Sequence, residues 1–264
     1  MCIRDRYVRD HESITDCIEQ LKDYAEDSIP VLDDDNKLLG VITAQDIVEV
    51  VDDEMGDDYA KLAGMTEEAD LEESLPESIK KRLPWLVVLL GLSLCVSTVT
   101  GLFENVISHL AIIVSFQSLI LGMSGNVGTQ SLAVTIRVLM DEDLSGRQKW
   151  ELIFKEARIG FCNGLMLGLL AFAFIGTYVY VLKGRPLQYA FSVSACAGVA
   201  LMLAMTISSV VGTVVPMFFH KVKVDPAVAS GPLISTVNDF VAVVTYYGLA
   251  WVLLIHVLLS LIHI

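Results

Sequence analysis

Five long apolar stretches in the second part of the chain constrain its fold more than any other feature. They cover approximately residues 85–103, 110–139, 157–182, 188–219 and 230–258. A bilayer core of about 30 Å is crossed by roughly 20 apolar residues in a helix, and each stretch is about that long or longer. Backbone polar groups must be paired inside lipid, so helices are expected. The sequence therefore predicts an all-α membrane domain with five transmembrane helices over residues 84–258, surrounded by a lipid bilayer.

Charge divides the chain into two unlike parts. Residues 1–79 contain 24 Asp or Glu against 6 Lys or Arg, whereas residues 80–264 contain 8 acidic and 12 basic residues. The first part would repel nucleic acid, so nucleic acid is excluded as a partner. An acidic, water-soluble part is expected to precede the membrane domain.

The basic residues predict the orientation in the membrane, because cytoplasmic loops carry an excess of Lys and Arg. One side of the membrane holds only Lys183 and Arg185. The other side holds Lys80, Lys81, Arg82, Arg137, Arg147, Lys149, Lys155, Arg158, Lys221 and Lys223. We expect the N-terminus in the cytoplasm and, after an odd number of spans, the C-terminus outside a cell (inner) membrane.

The acidic part combines strand and helix patterns. Two short strand patterns, SIPVLD and LLGVIT, are separated by the polar turn DDDNK. Helical patterns precede and follow them, in ESITDCIEQLKDYAED and AQDIVEVV. Strands joined by such a turn predict a hairpin. We expect a small α+β unit over residues 1–50, followed by an acidic helix and linker over residues 51–83.

Four carboxylates form a stripe on this acidic helix. Asp46, Glu49, Asp53 and Asp57 are spaced by three, four and four residues, which places them along one helical face. Like charges at that spacing repel each other, and a divalent cation such as Mg²⁺, which prefers carboxylate oxygens and water, would relieve the repulsion. The stripe is either a regulatory cation site or an ordinary solvated face.

The second apolar stretch is unusually polar and glycine-rich at its centre. Its segment LGMSGNVGTQSL contains Gly122, Gly125, Asn126 and Gly128. The Lys of a phosphate-binding loop is missing, so this segment is not a nucleotide site of that kind. Polar groups at this depth must face protein or water, where a glycine backbone can approach an ion.

Asp239 is the only carboxylate that the pattern places well inside a span, in STVNDFVAVV. No Lys or Arg in the core of another span can pair with it, and a lone charge in lipid costs at least several kcal/mol. A water-filled cation path explains this residue, with Asp225 at the cytoplasmic mouth. The alternative is a protonated, structural Asp239 that is hydrogen-bonded to Asn238 or Thr236.

The choice of cation follows from the ligands. A copper or zinc path would need Cys, Met or His side chains that converge, and the histidines lie at or near the ends of different spans. Mg²⁺ sheds water reluctantly, so a wide, hydrated path with few carboxylates suits it. Mn²⁺ and Co²⁺ also accept oxygen ligands and remain alternatives.

Small residues at four-residue spacing mark the third stretch. Gly160, Gly164 and Gly168 lie on one helical face, which allows close packing of another helix. That helix belongs either to the same chain or to a second copy. Five helices are few for enclosing an ion path, which favours a path shared between two subunits.

Two parts of the chain resemble known families. The segment IPVLDDDNKLLGVITAQDI resembles the second half of a CBS-domain pair, and this implies that Thr43 and Asp46 could contact an adenine nucleotide such as ATP. The segments SGNVGTQSLAVTIR and VDPAVASGPLISTVNDF resemble the MgtE family of magnesium channels and transporters.

The MgtE resemblance implies a homodimer with a Mg²⁺ path at its interface and no enzymatic activity. Asp239 would hold hydrated Mg²⁺ in the pore and Asp225 would lie at the mouth. The pore-lining set would be Gly122, Gly125, Asn126, Gly128 and Asn238. The acidic helix would correspond to the connecting helix, called the plug helix, of the family. Cytoplasmic Mg²⁺ bound near the CBS unit and this helix would close the pore.

Two departures from the family qualify the expected gate. Its N-terminal domain and first CBS repeat are not found here, so gating is expected to be incomplete. The termini, MCIRDR and residues 259–264, do not fit the family pattern and are interpreted as foreign to it, so Cys2 and His263 receive no role. A proton- or sodium-coupled exporter of divalent cations and a membrane-anchored CBS sensor without transport remain alternatives.

Overall fold

A computed structural model describes residues 7–12, 28–67, 72–109, 111–141, 144–225 and 231–255. The chain divides into two compact units, Met1–Tyr59 and Ala60–Ile264. The terminal segments interpreted above as foreign lie outside the described residues. The predicted first helix of the acidic part also lies outside them, except for Glu12.

The first unit contains a three-stranded sheet and most of a helix. Strands β1 (Val8–Arg9), β2 (Ser28–Leu32) and β3 (Leu38–Thr43) lie in that order, with β1 parallel and β3 antiparallel to β2. The Asp33 carboxylate accepts hydrogen bonds from the backbone N–H groups of Asp35 and Lys37, which closes the turn between β2 and β3. Helix α1 (Ala44–Leu62) follows directly. The predicted hairpin and small α+β unit are confirmed.

Among its described residues, the second unit contains five helices that are long and apolar enough to cross a membrane, as predicted. Helices α2 (Leu75–Leu102), α4 (Val114–Asp141), α5 (Gly146–Val181), α6 (Leu187–Lys221) and α7 (Gly231–Leu249) provide them. A short helix α3 (Glu104–His109) and a 3₁₀ turn (Ala111–Ile113) join α2 to α4, and a π-helical turn (Ala250–Ile255) follows α7.

Helices α2 and α5 begin about ten residues before their apolar stretches. Each start is a capping box, in which Ser74 pairs with Glu77 and Ser145 pairs with Gln148. Such boxes satisfy the free N–H groups of the first turn and stabilise polar helical turns. Apolar content alone could not reveal these extensions.

The glycine stripe of α5 packs against α6 of the same chain. A Cβ atom at Gly164 would lie 2.9 Å from the Met202 Cα atom, and one at Gly168 would lie 2.7 Å from the Gly198 carbonyl oxygen. The two helix backbones therefore meet along this stripe, which only glycine permits. Of the two alternatives, the stripe serves packing within the chain.

Replacing Gly168 with Ala is expected to destabilise the membrane unit by about 1–3 kcal/mol, because the added methyl group must displace the α6 backbone. Gly91 of α2 is the matched control, since a Cβ atom there meets no atom within 4 Å. Thermal unfolding in detergent should show a lower midpoint for Gly168→Ala than for Gly91→Ala. Equal midpoints would contradict the close packing of α5 and α6.

Candidate cation site

The two membrane motifs lie against each other in the antiparallel pair α4 and α7. A Cβ atom at Gly125 would lie 2.8 Å from the Ser235 hydroxyl oxygen, and one at Gly231 would lie 3.4 Å from Thr129 Cγ2. Residue numbers therefore increase along α4 where they decrease along α7, so the two helices are antiparallel. Glycine in α4 lets α7 approach closely and brings two predicted site residues, Gly128 and Asn238, into contact.

Gly128 is the point where three helices meet. A Cβ atom at Gly128 would overlap the Asn238 side chain of α7, and one at Gly212 of α6 would overlap the Gly128 carbonyl group. Asn238 is fully buried, and its amide nitrogen and oxygen have no hydrogen-bond partner within the described residues. The structure therefore places Gly128 and Asn238 in the contact between helices of one chain.

Asp239 follows Asn238 and lies on a different face of α7. Its carboxylate is partly exposed and lines a cleft of about 370 Å³ between α2, α4 and α7. The other polar side chains of the cleft are Ser93, Ser97, Thr100, Gln117 and Thr236. Asp239 therefore faces a polar space, as a cation path requires.

None of the four predicted pore residues of α4 lines this cleft. Gly122 is exposed, and a Cβ atom there meets no atom within 4 Å. Asn126 lines a wider groove of about 830 Å³ between α4 and α5, together with Gln130 and Asn163. The glycine-rich segment thus presents one face to α7 and another to this groove.

Asp225 forms an ion pair that the sequence did not indicate. Lys61 Nζ, in the last turn of α1, lies 2.7 Å from Asp225 Oδ2, just beyond the end of α6. Nearby, the Leu62 carbonyl oxygen lies 3.5 Å from the Cβ position of Gly231, at the start of α7. The C-terminal end of α1 is therefore attached beside the start of the helix that carries Asp239.

The acidic stripe is exposed along α1. The Asp46 carboxylate accepts hydrogen bonds from the Thr43 backbone N–H and hydroxyl groups, both at 2.7 Å, and these lower the pKa of Asp46. Glu49, Asp53 and Asp57 are also exposed. Within the described ranges, no group of three Asp, Glu, His or Cys side chains is arranged to hold a metal ion. Thr43 and Asp46, the predicted nucleotide contacts, bind each other at the start of α1.

Glu156 is a buried carboxylate that the sequence pattern did not indicate. It is buried in α5, where its Oε2 atom accepts a hydrogen bond of 2.9 Å from the Ser131 hydroxyl of α4. The Ser209 hydroxyl of α6 donates to the Glu156 carbonyl oxygen at 2.7 Å and lies 2.8 Å from the Ser131 hydroxyl. Helix α5 begins at Gly146, whereas the apolar stretch in the sequence begins at residue 157. Glu156 therefore lies inside the helix but just before the apolar stretch.

Replacing Glu156 with Ala is expected to lower the free energy of unfolding by about 1–3 kcal/mol, since it leaves the buried Ser131 hydroxyl without its carboxylate acceptor. Glu151→Ala is the control, because Glu151 is exposed and forms its ion pair with Arg147 of the same helix. Thermal unfolding of both variants in detergent measures the difference. A Glu156→Ala midpoint equal to that of Glu151→Ala would show that the network does not stabilise the fold.

Comparisons with known proteins give one consistent result. The chain matches the MgtE family model, described as a divalent cation transporter, over residues 117–249 and the CBS domain model over residues 3–53. Three relatives are each named magnesium transporter MgtE. Identity is 37% with the protein of Enterococcus faecalis, over 89% of this chain and 50% of the relative. It is 34% with that of Bacillus subtilis (92% and 51%) and 31% with that of Thermus thermophilus (94% and 53%). This chain spans about half the length of these relatives.

Proposed function

This chain belongs to the MgtE family of divalent cation transporters, and from that premise we propose that it conducts Mg²⁺ passively across a cell membrane. The membrane potential would drive inward movement of the cation. The observation that carries the proposal is Asp239, a carboxylate inside a membrane-spanning helix that faces a polar cleft rather than a basic partner. This is a transport function and not an enzymatic one.

The chemistry of the cleft suits Mg²⁺. Hydroxyl and amide groups from three helices surround a single carboxylate, so an ion can keep most of its water. Mg²⁺ usually retains several waters and uses one or two carboxylates. Thiol and imidazole groups, which softer metals prefer, are not among the residues that line this cleft.

A homodimer with the path at its interface is part of the proposal. Asn126, Gln130 and Asn163 line an open groove on the membrane unit, and polar groups at bilayer depth are stable against another polar surface or water. Residues on two copies would then line one path, with two Asp239 carboxylates and the glycine backbone of α4 beside the ion. The N-terminus would lie in the cytoplasm and the C-terminus outside.

Regulation by cytoplasmic Mg²⁺ is supported by α1. This continuous helix carries the acidic stripe along most of its length and Lys61, which forms an ion pair with Asp225, in its last turn. Cation binding to Asp46, Glu49, Asp53 and Asp57 would reduce their mutual repulsion and stabilise the helix. A stable α1 would keep its end attached beside α7 and oppose conduction. A nucleotide such as ATP at Thr43 and Asp46 would act on the same helix.

Asp239→Asn is expected to reduce Mg²⁺ uptake into liposomes by about tenfold or more, because an amide cannot balance the charge of a divalent cation in a low-dielectric span. Glu104→Gln is the control, since Glu104 is exposed at the start of α3. Both variants must remain folded and reconstitute equally.

Normal uptake by Asp239→Asn would overturn the pore assignment. A pH or sodium gradient that drives Mg²⁺ uphill would favour a coupled exporter. Binding of Mg²⁺ or nucleotide without flux through the unmodified chain would favour a sensor. Parallel measurements with Mn²⁺ and Co²⁺ would define the selectivity.

Lys61→Met is expected to raise uptake up to about fivefold at inhibitory cytoplasmic Mg²⁺, because a partly exposed ion pair contributes up to about 1 kcal/mol. Lys37→Met, in the β2–β3 turn, is the control. Flux is measured against internal Mg²⁺ concentration. Identical inhibition curves for the two variants would show that the Lys61–Asp225 ion pair has no role in gating.

A further inference from the structure

Helix α5 is longer than the membrane that it crosses. Its 36 residues, Gly146–Val181, would measure about 54 Å. The hydrocarbon core of a bilayer is about 30 Å thick, and the bilayer with its headgroups is about 40–45 Å thick. Residues 159–181 contain no charged side chain and would cover about 35 Å, so they account for the core. Residues 146–158 therefore lie in the headgroup region and beyond it, on the proposed cytoplasmic side.

The face of α5 that points away from the other helices changes character along its length. Phe161 and Leu165 are apolar and exposed, as expected where a helix contacts acyl chains. Arg158 lies three residues before Phe161, and Lys155 lies three residues before Arg158. Both bases are exposed, and this spacing places them on the same side of the helix as Phe161. The outward face therefore passes from apolar to basic where the charge-free stretch begins.

An exposed aromatic pair lies beside the two bases. Trp150 and Phe154 are 63% and 58% exposed, and their ring centroids are 6.1 Å apart. Tryptophan is enriched at membrane–water interfaces, where its ring sits at the level of the headgroups. Tyr180, which is also exposed, follows Trp150 by 30 positions, or about 45 Å of helix. This distance matches a whole bilayer, so the two rings mark its two surfaces.

The two bases are not neutralised by acidic side chains of the protein. Among the residues that the structure describes, neither Lys155 nor Arg158 forms an ion pair, whereas Arg147 is paired with Glu151 at 2.9 Å. Glu156 lies between the two bases in sequence, but its side chain is buried on the opposite side of α5. Basic side chains at headgroup depth attract anionic lipids, and their long stems can lie along apolar surface. The outward face thus presents two free positive charges to the lipid headgroups.

We propose that Lys155 and Arg158, together with Trp150 and Phe154, form a docking site for an anionic phospholipid on the outward face of α5. The two cations bind the lipid phosphate, and the aromatic pair lies beside the headgroup. The apolar face that begins at Phe161 receives the acyl chains. This continuity of charged, aromatic and apolar surface favours a lipid over a free phosphate ion, which would use the two bases alone.

The test uses brominated phospholipids, which quench tryptophan fluorescence on contact. Trp85→Phe/Trp251→Phe leaves Trp150 as the only tryptophan of the chain. In detergent micelles, brominated phosphatidylglycerol should reach half-maximal quenching at about tenfold lower mole fraction than brominated phosphatidylcholine, because each base strengthens the attraction to an anionic lipid several-fold. Equal quenching by the two lipids would overturn the proposal.

Two pairs of substitutions in this background assign the preference to the bases. Lys155→Gln/Arg158→Gln should abolish it, whereas the charge-preserving Lys155→Arg/Arg158→Lys should retain it. Lys183→Gln/Arg185→Gln is the matched control, since it removes two bases just after the other end of α5. A preference that persists in Lys155→Gln/Arg158→Gln would overturn the assignment. Loss of the preference on addition of inorganic phosphate, at constant ionic strength, would indicate a free-anion site and overturn the lipid as its occupant.

Native mass spectrometry keeps the proposal testable if the chain with two replaced tryptophans does not fold. The unmodified chain should retain more phosphatidylglycerol than phosphatidylcholine, and Lys155→Gln/Arg158→Gln should lose about tenfold of that excess. Equal retention of the two lipids by the unmodified chain would overturn the site. Neither measurement involves ion flux, so this site and the proposed transport function stand or fall separately.

Discussion

The close approach of helix backbones at glycine is the constraint on which the membrane unit depends. Gly128 of α4 receives Asn238 from α7 and the backbone at Gly212 from α6, while Gly164 and Gly168 bring α5 against α6. Inside lipid, apolar side chains gain little from leaving one apolar environment for another, so packing contacts and hydrogen bonds must hold helices together. A side chain at any of these positions would separate the helices. The register between α4 and α7 follows from the same contacts, and that register decides which residues meet Asp239.

Buried polar groups are the second determinant. Glu156, Ser131 and Ser209 join α5, α4 and α6 in one hydrogen-bonded network. Its groups satisfy one another, which is how a carboxylate is accommodated among packed helices. Asp239 differs because it borders a polar cleft with room for water. The contrast separates a carboxylate that connects helices from one that is available to a cation, although both are single acidic residues in apolar surroundings.

Much of the architecture could be predicted because it depends on local composition. The five spans, the β2–β3 hairpin and the resemblance to MgtE and CBS sequences were all predicted and are confirmed. Helices α2 and α5 begin about ten residues before their apolar stretches, since capping boxes of polar residues extend a helix without any apolar signal. Glu156 was missed for the same reason. The Lys61–Asp225 pair joins residues 164 positions apart, and no local pattern indicates such a partner.

The sequence by itself determined that this is a membrane protein with an acidic preceding part, and that Asp239 and a glycine-rich segment are its unusual features. Length, hydropathy and charge are sums over neighbouring residues, so they can be read without coordinates. Only the tertiary structure decided what each feature faces. Asn238 faces α4, where it contacts Gly128. The adjacent Asp239 faces the cleft that Ser93 and Ser97 of α2 also line. A turn of about 100° per residue gives neighbours in sequence different surroundings, and packing alone assigns those surroundings.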